Sequence, residues 1–108
     1  MMLVVLMLAL AGPGPQTIDQ PRKNYAACIK RFETGSLKAK MDLTAYTTAV
    51  KAACPDEAAA LTKALVAYDV GMGTGRGDAA RNAAIDVNDY VESSLERYQL
   101  TVEASKPK

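Results

Sequence analysis

Apolar residues recur every three or four positions along most of the 108-residue chain, which is the spacing of one face of a helix. The first such stripe comprises Tyr25, Cys28, Ile29 and Phe32. A second segment begins after Asp42, a residue type that favours helix N-caps. Its apolar stripe comprises Leu43, Tyr46, Val50 and Cys54. Both cysteines are therefore predicted to face the core of a helical protein.

Two further helices are predicted in the C-terminal half. The third begins at Pro55, a residue that suits the first helical position, and the fourth runs from about Asp78 to Leu100. The predicted apolar positions are Ala58, Leu61, Leu65, Tyr68 and Met72 on the third helix, and Ala80, Ala84, Val87, Val91, Leu95 and Tyr98 on the fourth. Four amphipathic segments in succession predict an all-α fold, a small up-down four-helix bundle made of two helical hairpins.

The N-terminus begins with an uninterrupted apolar run, MMLVVLMLALA at residues 1–11. This run is too short to span a membrane and ends in the small-x-small pattern of a cleavage site, so we interpret it as a signal peptide removed near Gly12. No stable membrane span is then expected in the mature protein. The alternative is a short membrane-touching helix that stays attached. The predicted organisation is a signal peptide at 1–11, a flexible linker at 12–18, a helical bundle domain at 19–100 and a flexible tail at 101–108.

Both cysteines follow Ala-Ala, as in a lipoprotein signal, but the charged sequence QPRKN separates Cys28 from the apolar run. In an exported chain two cysteines instead predict one disulfide, between Cys28 and Cys54. Two free buried thiols are the alternative. A hairpin brings the two cysteines together only if they lie equally far from its turn, so the turn is expected near Met41. The first helix should then continue through Gly35 to about Ala39.

Composition argues against catalysis. The chain has no histidine, the commonest general base and metal ligand, and no nucleophile and base pair can be named. We therefore predict no enzymatic activity, no cofactor and no metal site. Asp86 and Asp89 lie one turn apart, but their predicted position on a solvated face does not favour an acid and base pair, and weak divalent-cation binding is the alternative. The net charge of +1 does not favour nucleic-acid binding.

The glycine-rich stretch GMGTGRGD at 71–78 separates the third and fourth helices. It lacks the lysine of a Walker A loop and the glycine spacing of a dinucleotide fingerprint. Its Arg-Gly-Asp tripeptide matches an adhesion sequence, but three residues recur by chance. We interpret the stretch as a helix connection in which glycine permits a positive φ and Asp78 stabilises the start of the next helix, either as its N-cap or from the first turn behind Gly75. The functional alternative is a modest anion site at that helix start, formed by Arg76 and Asp78.

Three features together resemble a known family: the two-cysteine arrangement, the segment VAYDV at 66–70, and the segment NDYVESSLERY at 88–98. The family consists of short, signal-peptide-bearing helical proteins of alphaproteobacteria, mostly of sphingomonad type, for which no activity is established. The resemblance implies export and an all-helical fold. It implies no catalytic residue.

Charge is distributed unevenly between the two predicted hairpins. Residues 19–51 include seven basic and three acidic side chains, whereas residues 56–103 include four basic and nine acidic ones. The basic hairpin could meet an anionic envelope surface or an acidic partner, and the alternative is that the hairpins attract each other within the monomer. The sequence thus predicts a periplasmic or secreted protein that interacts with a protein partner in the cell envelope. The alternative function is a small-ligand carrier that binds between the helices beside Tyr46, Tyr68 and Tyr98.

Overall fold

The computed structural model describes residues 16–106, and all regular secondary structure in that range is α-helical. The four helices are α1 (Gln16–Lys38), α2 (Leu43–Lys51), α3 (Pro55–Gly71) and α4 (Arg76–Ala104). The predicted all-α fold with two helical hairpins and one disulfide is confirmed. The predicted signal peptide at 1–11 lies outside the described residues.

The helices α2 and α3 run in the same direction along the two halves of α1. Phe32, in the C-terminal half of α1, stacks on Tyr46 of α2 with ring centroids 5.7 Å apart. Ile18, near the start of α1, lines one cavity with Leu65 of α3. Both short helices are therefore antiparallel to α1 and follow one another along it.

The longest helix, α4, runs parallel to α1 and contacts all three other helices. Its direction follows from two contacts with α1: Arg22 hydrogen-bonds to Asp86, and Arg97 hydrogen-bonds to Glu33. With 29 residues, α4 is long enough to pack against α2 and α3 in turn. It is the element that ties the two halves of the bundle together.

The connection from α1 to α2 lies where the cysteine positions predict it. α1 continues past Gly35 and ends at Lys38. The N–H of Met41 then donates to the C=O of Ser36 and the N–H of Lys40 to the C=O of Leu37, each at 3.0 Å, which is the pattern of a Schellman motif. Lys40 has a φ of +57° and so occupies the left-handed position that glycine usually takes.

The start of α2 confirms the predicted N-cap. Asp42 has extended backbone angles, and its carboxylate accepts a hydrogen bond of 2.8 Å from the N–H of Ala45. That bond satisfies one of the N–H groups left unpaired in the first turn of any helix. The predicted boundary is thus explained by a single side chain.

One continuous core connects the four helices. Its largest fully buried side chains are those of Tyr25, Tyr46, Tyr98, Ile29, Leu61 and Val50. The predicted stripes of the first two helices are confirmed, but two details further along the chain are wrong. Met72 is 69% exposed because α3 ends one residue before it. In the first turns of α4 the buried alanines are Ala79 and Ala83 rather than Ala80 and Ala84, since α1 and α3 both lie on that side of the helix.

The helices extend further than the predicted domain at both ends. α1 already includes Gln16, and Ile18 belongs to the buried core, so part of the predicted linker is helical. α4 continues to Ala104, and Val102 packs against the core, so part of the predicted tail is helical too. Apolar contacts explain both extensions. Among the described residues, none of the helices has the length and hydropathy needed to cross a membrane.

Candidate functional site

The predicted disulfide joins the middle of α1 to the junction between α2 and α3. The sulfur atoms of Cys28 and Cys54 are bonded, and their Cα atoms are 6.1 Å apart. Cys54 directly precedes α3 and has a φ of +57°. A carboxylate oxygen of Glu57 lies within 4.8 Å of both sulfurs. Because metals bind thiolates and the sulfurs here are bonded to each other, this trio offers a metal ion only one carboxylate in the oxidised protein.

The glycine-rich stretch is a helix connection, as predicted. Gly73 has a φ of +101°, and its N–H donates to the C=O of Val70 at 3.0 Å. The N–H of Thr74 donates to the C=O of Asp69 at 2.9 Å. These two bonds form a second Schellman motif, with glycine in the left-handed position.

The residues of the candidate anion site lie in different surroundings. Arg76 is the first residue of α4 and lines a shallow groove with apolar side chains of α3, including Val66 and Val70. Asp78 forms an ion pair with Arg81 on the exposed surface. Of the two placements predicted for Asp78, the structure has the second: α4 begins at Arg76, its N-cap position is Gly75, which has no side chain, and Asp78 lies in the first turn. The anion site itself stays a prediction.

The tyrosines of the predicted ligand carrier have two different environments. Tyr46 and Tyr98 are fully buried and stack on each other, with ring centroids 3.7 Å apart and planes 4° from parallel. The Tyr98 hydroxyl donates a 2.6 Å hydrogen bond to the C=O of Met41. Tyr68 instead lines a cavity of about 180 Å³ together with Arg22. This volume is below the range of roughly 300–1,000 Å³ that is usual for ligand pockets.

A buried polar network, formed by Glu33, Ser94 and Tyr46, links three helices in the core. The Ser94 hydroxyl donates to Oε1 of Glu33 at 2.7 Å. Because that hydroxyl has only one proton, it must accept the 2.6 Å hydrogen bond that joins it to the Tyr46 hydroxyl. Arg97 adds two hydrogen bonds to the same carboxylate oxygen, of 3.1 and 3.3 Å. Glu33 is thus held by donors from α4 alone, and Ser94 connects it to α2.

The sequence predictions did not include this network, although a weak signal for it exists. Ser94 stands between Val91 and Tyr98 at the spacing of the apolar stripe, and this spacing places its side chain on the buried face of the helix. The structure leaves Ser94 with no exposed surface. A substrate therefore cannot reach its hydroxyl, and we assign the network a structural role.

Burial also sets the ionisation of the core phenols. It raises the pKa of Tyr25, Tyr46 and Tyr98, because a phenolate would lack solvation in the core. The hydrogen bond to Ser94 acts in the opposite direction on the pKa of Tyr46, but the effect of burial is larger. These three side chains therefore stay neutral at physiological pH.

A second polar cluster lies at the boundary between α1 and α4, nearer the surface. Arg22 donates two parallel hydrogen bonds to Asp86, of 2.9 and 3.0 Å, and a third of 3.1 Å to the Tyr90 hydroxyl. The pKa of Arg22 is raised, first by the bond to Asp86 and then by the bond to Tyr90. The predicted solvated position of Asp86 is wrong, since its side chain is half-buried and faces α1. Asp89 is exposed, so the two carboxylates do not share one environment.

The exposed side of α1 is basic. We call Lys23, Lys30, Arg31 and Lys38 the basic face of α1, because successive 100° steps along the helix place all four within about 100° of one another. All four are exposed, and the small residues Ala27 and Thr34 lie between them. None of the four has an ion-pair partner within residues 16–106.

The exposed side of α4 is acidic. We call Asp89, Glu92, Glu96 and Glu103 the acidic face of α4, which the same geometry places within about 60° of arc. Two large apolar side chains lie on this face, Ile85 and Leu100, with 62% and 60% of their surfaces exposed. As on α1, the four charged side chains have no ion-pair partner in the described part of the chain.

The ion pairs do not neutralise the charge difference between the hairpins. Of the three pairs among the described residues, only Arg22 and Asp86 join a cation of the first hairpin to an anion of the second. The pair between Glu33 and Arg97 has the opposite polarity. Direct ion pairing between the hairpins of one monomer therefore accounts for little of the asymmetry, and most of the charged side chains are exposed.

Comparison with known proteins gives no relative: no family model, curated protein or solved structure matches the chain. Functional conclusions therefore depend on this chain's own residues. The described surface carries two oppositely charged helix faces.

Proposed function

We propose that this protein is exported to the periplasm or secreted, and that it acts there without catalysis, by binding a protein partner of the cell envelope through its charged helix faces. One observation carries the proposal. Four exposed cations on α1 and four exposed carboxylates on α4 have no ionic partner within residues 16–106. Surfaces of one sign attract and orient partners of the opposite sign.

The proposed compartment has two independent supports. The apolar run at 1–11 has the length and the small-residue ending of a signal peptide. The disulfide between Cys28 and Cys54 is the second, because such bonds persist in oxidising compartments and are rare in the reducing cytosol.

A binding role is supported over chemistry by the position of the polar groups. The best hydrogen-bonded hydroxyl of the core, that of Ser94, has no exposed surface. The chain also contains no histidine to serve as a general base. A binding role is supported over ligand carriage by the stacked rings of Tyr46 and Tyr98, which occupy the space between helices that a carrier would keep open.

The test is cross-linking in an envelope fraction, with the mature protein as bait. The variant Lys23→Glu, Lys30→Glu, Lys38→Glu reverses three charges of the basic face. The matched control, Lys51→Glu, Lys63→Glu, Lys106→Glu, changes the net charge equally at exposed lysines elsewhere. We expect the face variant to lose a specific cross-linked protein that the control retains. Capture of the same protein by all three forms would refute the assignment to this face.

Two mass measurements test the remaining parts of the proposal. The intact mass of secreted material should correspond to a chain beginning within a residue or two of Gly12, and recovery of the full-length chain from the periplasm would contradict cleavage. Native mass spectrometry of the purified protein should show no bound small molecule. A co-purifying ligand would support the carrier function instead.

A further inference from the structure

The disulfide and Glu57 form a cluster of three side chains that can ligate a metal ion once the sulfurs are separated. Cys28 lies in the middle of α1, Cys54 directly precedes α3, and Glu57 lies in the first turn of α3. We propose that, after reduction of the disulfide, these three side chains bind a thiophilic divalent cation such as Zn²⁺. Metal binding and disulfide formation are then alternative states of one site. This inference does not depend on the proposed function of the charged helix faces.

The distances between the ligand atoms carry the proposal. The two sulfurs and a carboxylate oxygen of Glu57 all lie within 4.8 Å of one another. In a tetrahedral zinc site, with bonds of about 2.3 Å to sulfur and about 2.1 Å to oxygen, two sulfurs are about 3.8 Å apart and a sulfur and an oxygen about 3.6 Å apart. The distances from the carboxylate oxygen to the sulfurs therefore need to shorten by no more than about 1.2 Å, which rotation of the glutamate side chain provides.

The backbone holds the two cysteines at a suitable separation. Their Cα atoms are 6.1 Å apart. This distance lies in the upper part of the range of about 4.4–6.8 Å for cysteines joined by a disulfide. Rotation of the two side chains can therefore move the sulfurs apart while the helices stay in place. Ile29 of α1 and Leu61 of α3 belong to the same buried core, so the packing of these helices does not depend on the disulfide alone.

The donor atoms determine the kind of cation. Two thiolates and one carboxylate suit Zn²⁺ and other thiophilic ions, whereas Ca²⁺ and Mg²⁺ prefer sets of oxygen ligands. No further aspartate or glutamate in the described part of the chain belongs to the cluster. A water molecule would therefore complete the tetrahedron, as in zinc sites that keep one position open for exchange. The lack of histidine, which led us to predict no metal site, does not exclude this one, because none of its ligands is a histidine.

Burial and charge favour a cation at this position. Cys54 is buried, and Cys28 and Glu57 are half-buried. Two thiolates and a carboxylate at these distances would repel one another, and partial burial weakens the screening of that repulsion by water. A divalent cation among the three groups offsets two of their three negative charges.

Conversion between the two states exchanges two electrons. A dithiol reductant gives two electrons and two protons to the bond between Cys28 and Cys54, and the reductant itself becomes a disulfide. Binding of Zn²⁺ then displaces the two thiol protons. In the reverse direction a disulfide oxidant takes up the two electrons, and the zinc ion is released. The bound metal thus replaces the covalent link between α1 and the junction of α2 and α3.

The experiment measures metal binding by the mature protein after reduction with a phosphine and removal of the excess without oxygen. Co²⁺ is the probe, because its bonds to thiolates absorb light, and Zn²⁺ is then added to displace it. We expect the reduced wild type to bind one Co²⁺ ion and Glu57→Gln to bind at least about tenfold more weakly, since loss of even an outer-shell contact costs that much in other metal sites. Asp56→Asn, with the same charge change at an exposed neighbouring position, should bind like the wild type. The oxidised protein should show no thiolate absorbance.

Urea denaturation distinguishes a site in the folded protein from the thiolates of an unfolded chain. Zn²⁺ should raise the urea concentration at which the reduced wild type unfolds, and it should do so less in Glu57→Gln, because an ion that binds the folded state stabilises it. An unfolded chain would bind through its thiolates without Glu57, so equal affinities of Glu57→Gln and Asp56→Asn would overturn the inference. A reduced wild type without thiolate absorbance, or with an unfolding transition that Zn²⁺ does not change, would overturn it too. Neither result bears on the charged faces, so the proposed function is tested separately.

Discussion

The two short helices are held on α1 by different kinds of contact. α2, with nine residues, is held by the stacked rings of Phe32, Tyr46 and Tyr98 and by the buried polar network. α3, with seventeen residues, packs its leucines against α1 and the alanines of α4, and the only polar cluster described above in that half lies at the surface. We call the two regions the α2 half and the α3 half.

The difference follows from helix length. A nine-residue helix is too short to be stable by itself, so α2 depends on a cap and on a few specific tertiary contacts. Hydrogen bonds from Tyr46 through Ser94 to Glu33 give those contacts a defined geometry, since only one placement of α2 satisfies all three groups. α3 has more apolar surface to bury and needs no such network.

Burial also makes the two polar clusters unequal. Ser94 has no exposed surface, so a partner left without its hydrogen bond there has no water to replace it. Arg22 and Asp86 keep 38% and 30% of their side-chain surfaces exposed, and water can solvate either one if the other is removed. The α2 half should therefore respond more strongly to the loss of a single polar group.

Alkaline pH should have the largest effect, because it acts on both halves at once. The pKa of each of Tyr25, Tyr46 and Tyr98 is raised in the folded protein above the value of about 10 that an unfolded chain gives. The stability linked to these phenols is complete below pH 10 and is lost as the pH rises through the folded pKa values. We expect cooperative unfolding above pH 10, followed by circular dichroism, with tyrosinate absorbance rising in the same transition. Ionisation of all five tyrosines while the fold stays intact would contradict this.

Removing the disulfide should have the next largest effect. Cys28 and Cys54 are 26 positions apart, and the chain-entropy model gives about 3–4 kcal/mol for closing a loop of that size. Because the bond fixes the point where α2 joins α3, the variant Cys28→Ala, Cys54→Ala should unfold at a much lower denaturant concentration. Amide exchange in that variant should rise most in α2, the shorter helix. An even loss of protection over α2 and α3 would mean that the two halves do not differ.

Two single substitutions compare the polar clusters directly. Ser94→Ala leaves the Tyr46 hydroxyl without an acceptor and removes one donor from Glu33, which should cost about 2 kcal/mol of unfolding free energy. Arg22→Ala should cost less than about 1 kcal/mol and should do so only at low salt. Urea denaturation measures both, and Ser93→Ala, at the exposed neighbouring position, is the control. Equal costs at Ser94 and Arg22 would remove the distinction between the halves.

The sequence predicted the fold class, the disulfide and the turn near Met41 because each depends on a regular pattern. Helical spacing placed Cys28 and Cys54 on inward faces, and their equal distance from the turn required α1 to continue through Gly35. These relations hold between neighbours along one helix or across one hairpin, so they follow from residue spacing. The common direction of α2 and α3 could not be predicted from residue spacing.

The predictions about α4 failed where neighbouring helices decide what is buried. Asp86 has the sequence context of a solvated residue, and only the position of α1 brings Arg22 to it. The segment at 79–84 is rich in alanine, so its sequence alone does not distinguish a buried face that contains Ala79 and Ala83 from one that contains Ala80 and Ala84. The burial of Ser94 was not predicted because serine is a residue type that is mostly exposed, although its spacing matches the apolar stripe. The charged faces were visible as a charge imbalance, but their arrangement on separate exposed faces needed the fold.

The two helix exits should differ by smaller amounts. Both are Schellman motifs, but the left-handed residue is Lys40 at the α2 half and Gly73 at the α3 half. Lys40→Gly should stabilise the protein by about 0.5–1 kcal/mol, because a side chain strains the left-handed conformation. Gly73→Ala should cost about 1 kcal/mol for the same reason. An added Cβ would meet nothing within 4 Å, so the whole cost comes from the backbone conformation. Thermal melts that show the same sign for both substitutions would contradict the shared motif.

The smallest effects are expected at the start of α4. Asp78 pairs with exposed Arg81 and caps no helix N–H, so Asp78→Ala should cost only about 0.3 kcal/mol, which is its interaction with the helix dipole. The N-cap position is Gly75, whose φ of −64° and ψ of 150° suit a capping side chain. Gly75→Asp should therefore stabilise the protein by about 0.5 kcal/mol, a gain that Asp78 cannot supply.

Arg76→Ala should be neutral with or without phosphate. If phosphate raises the melting temperature of the wild type and this rise is lost only in Arg76→Ala, then the helix start binds anions and the two helix connections differ in function as well as in their left-handed residue.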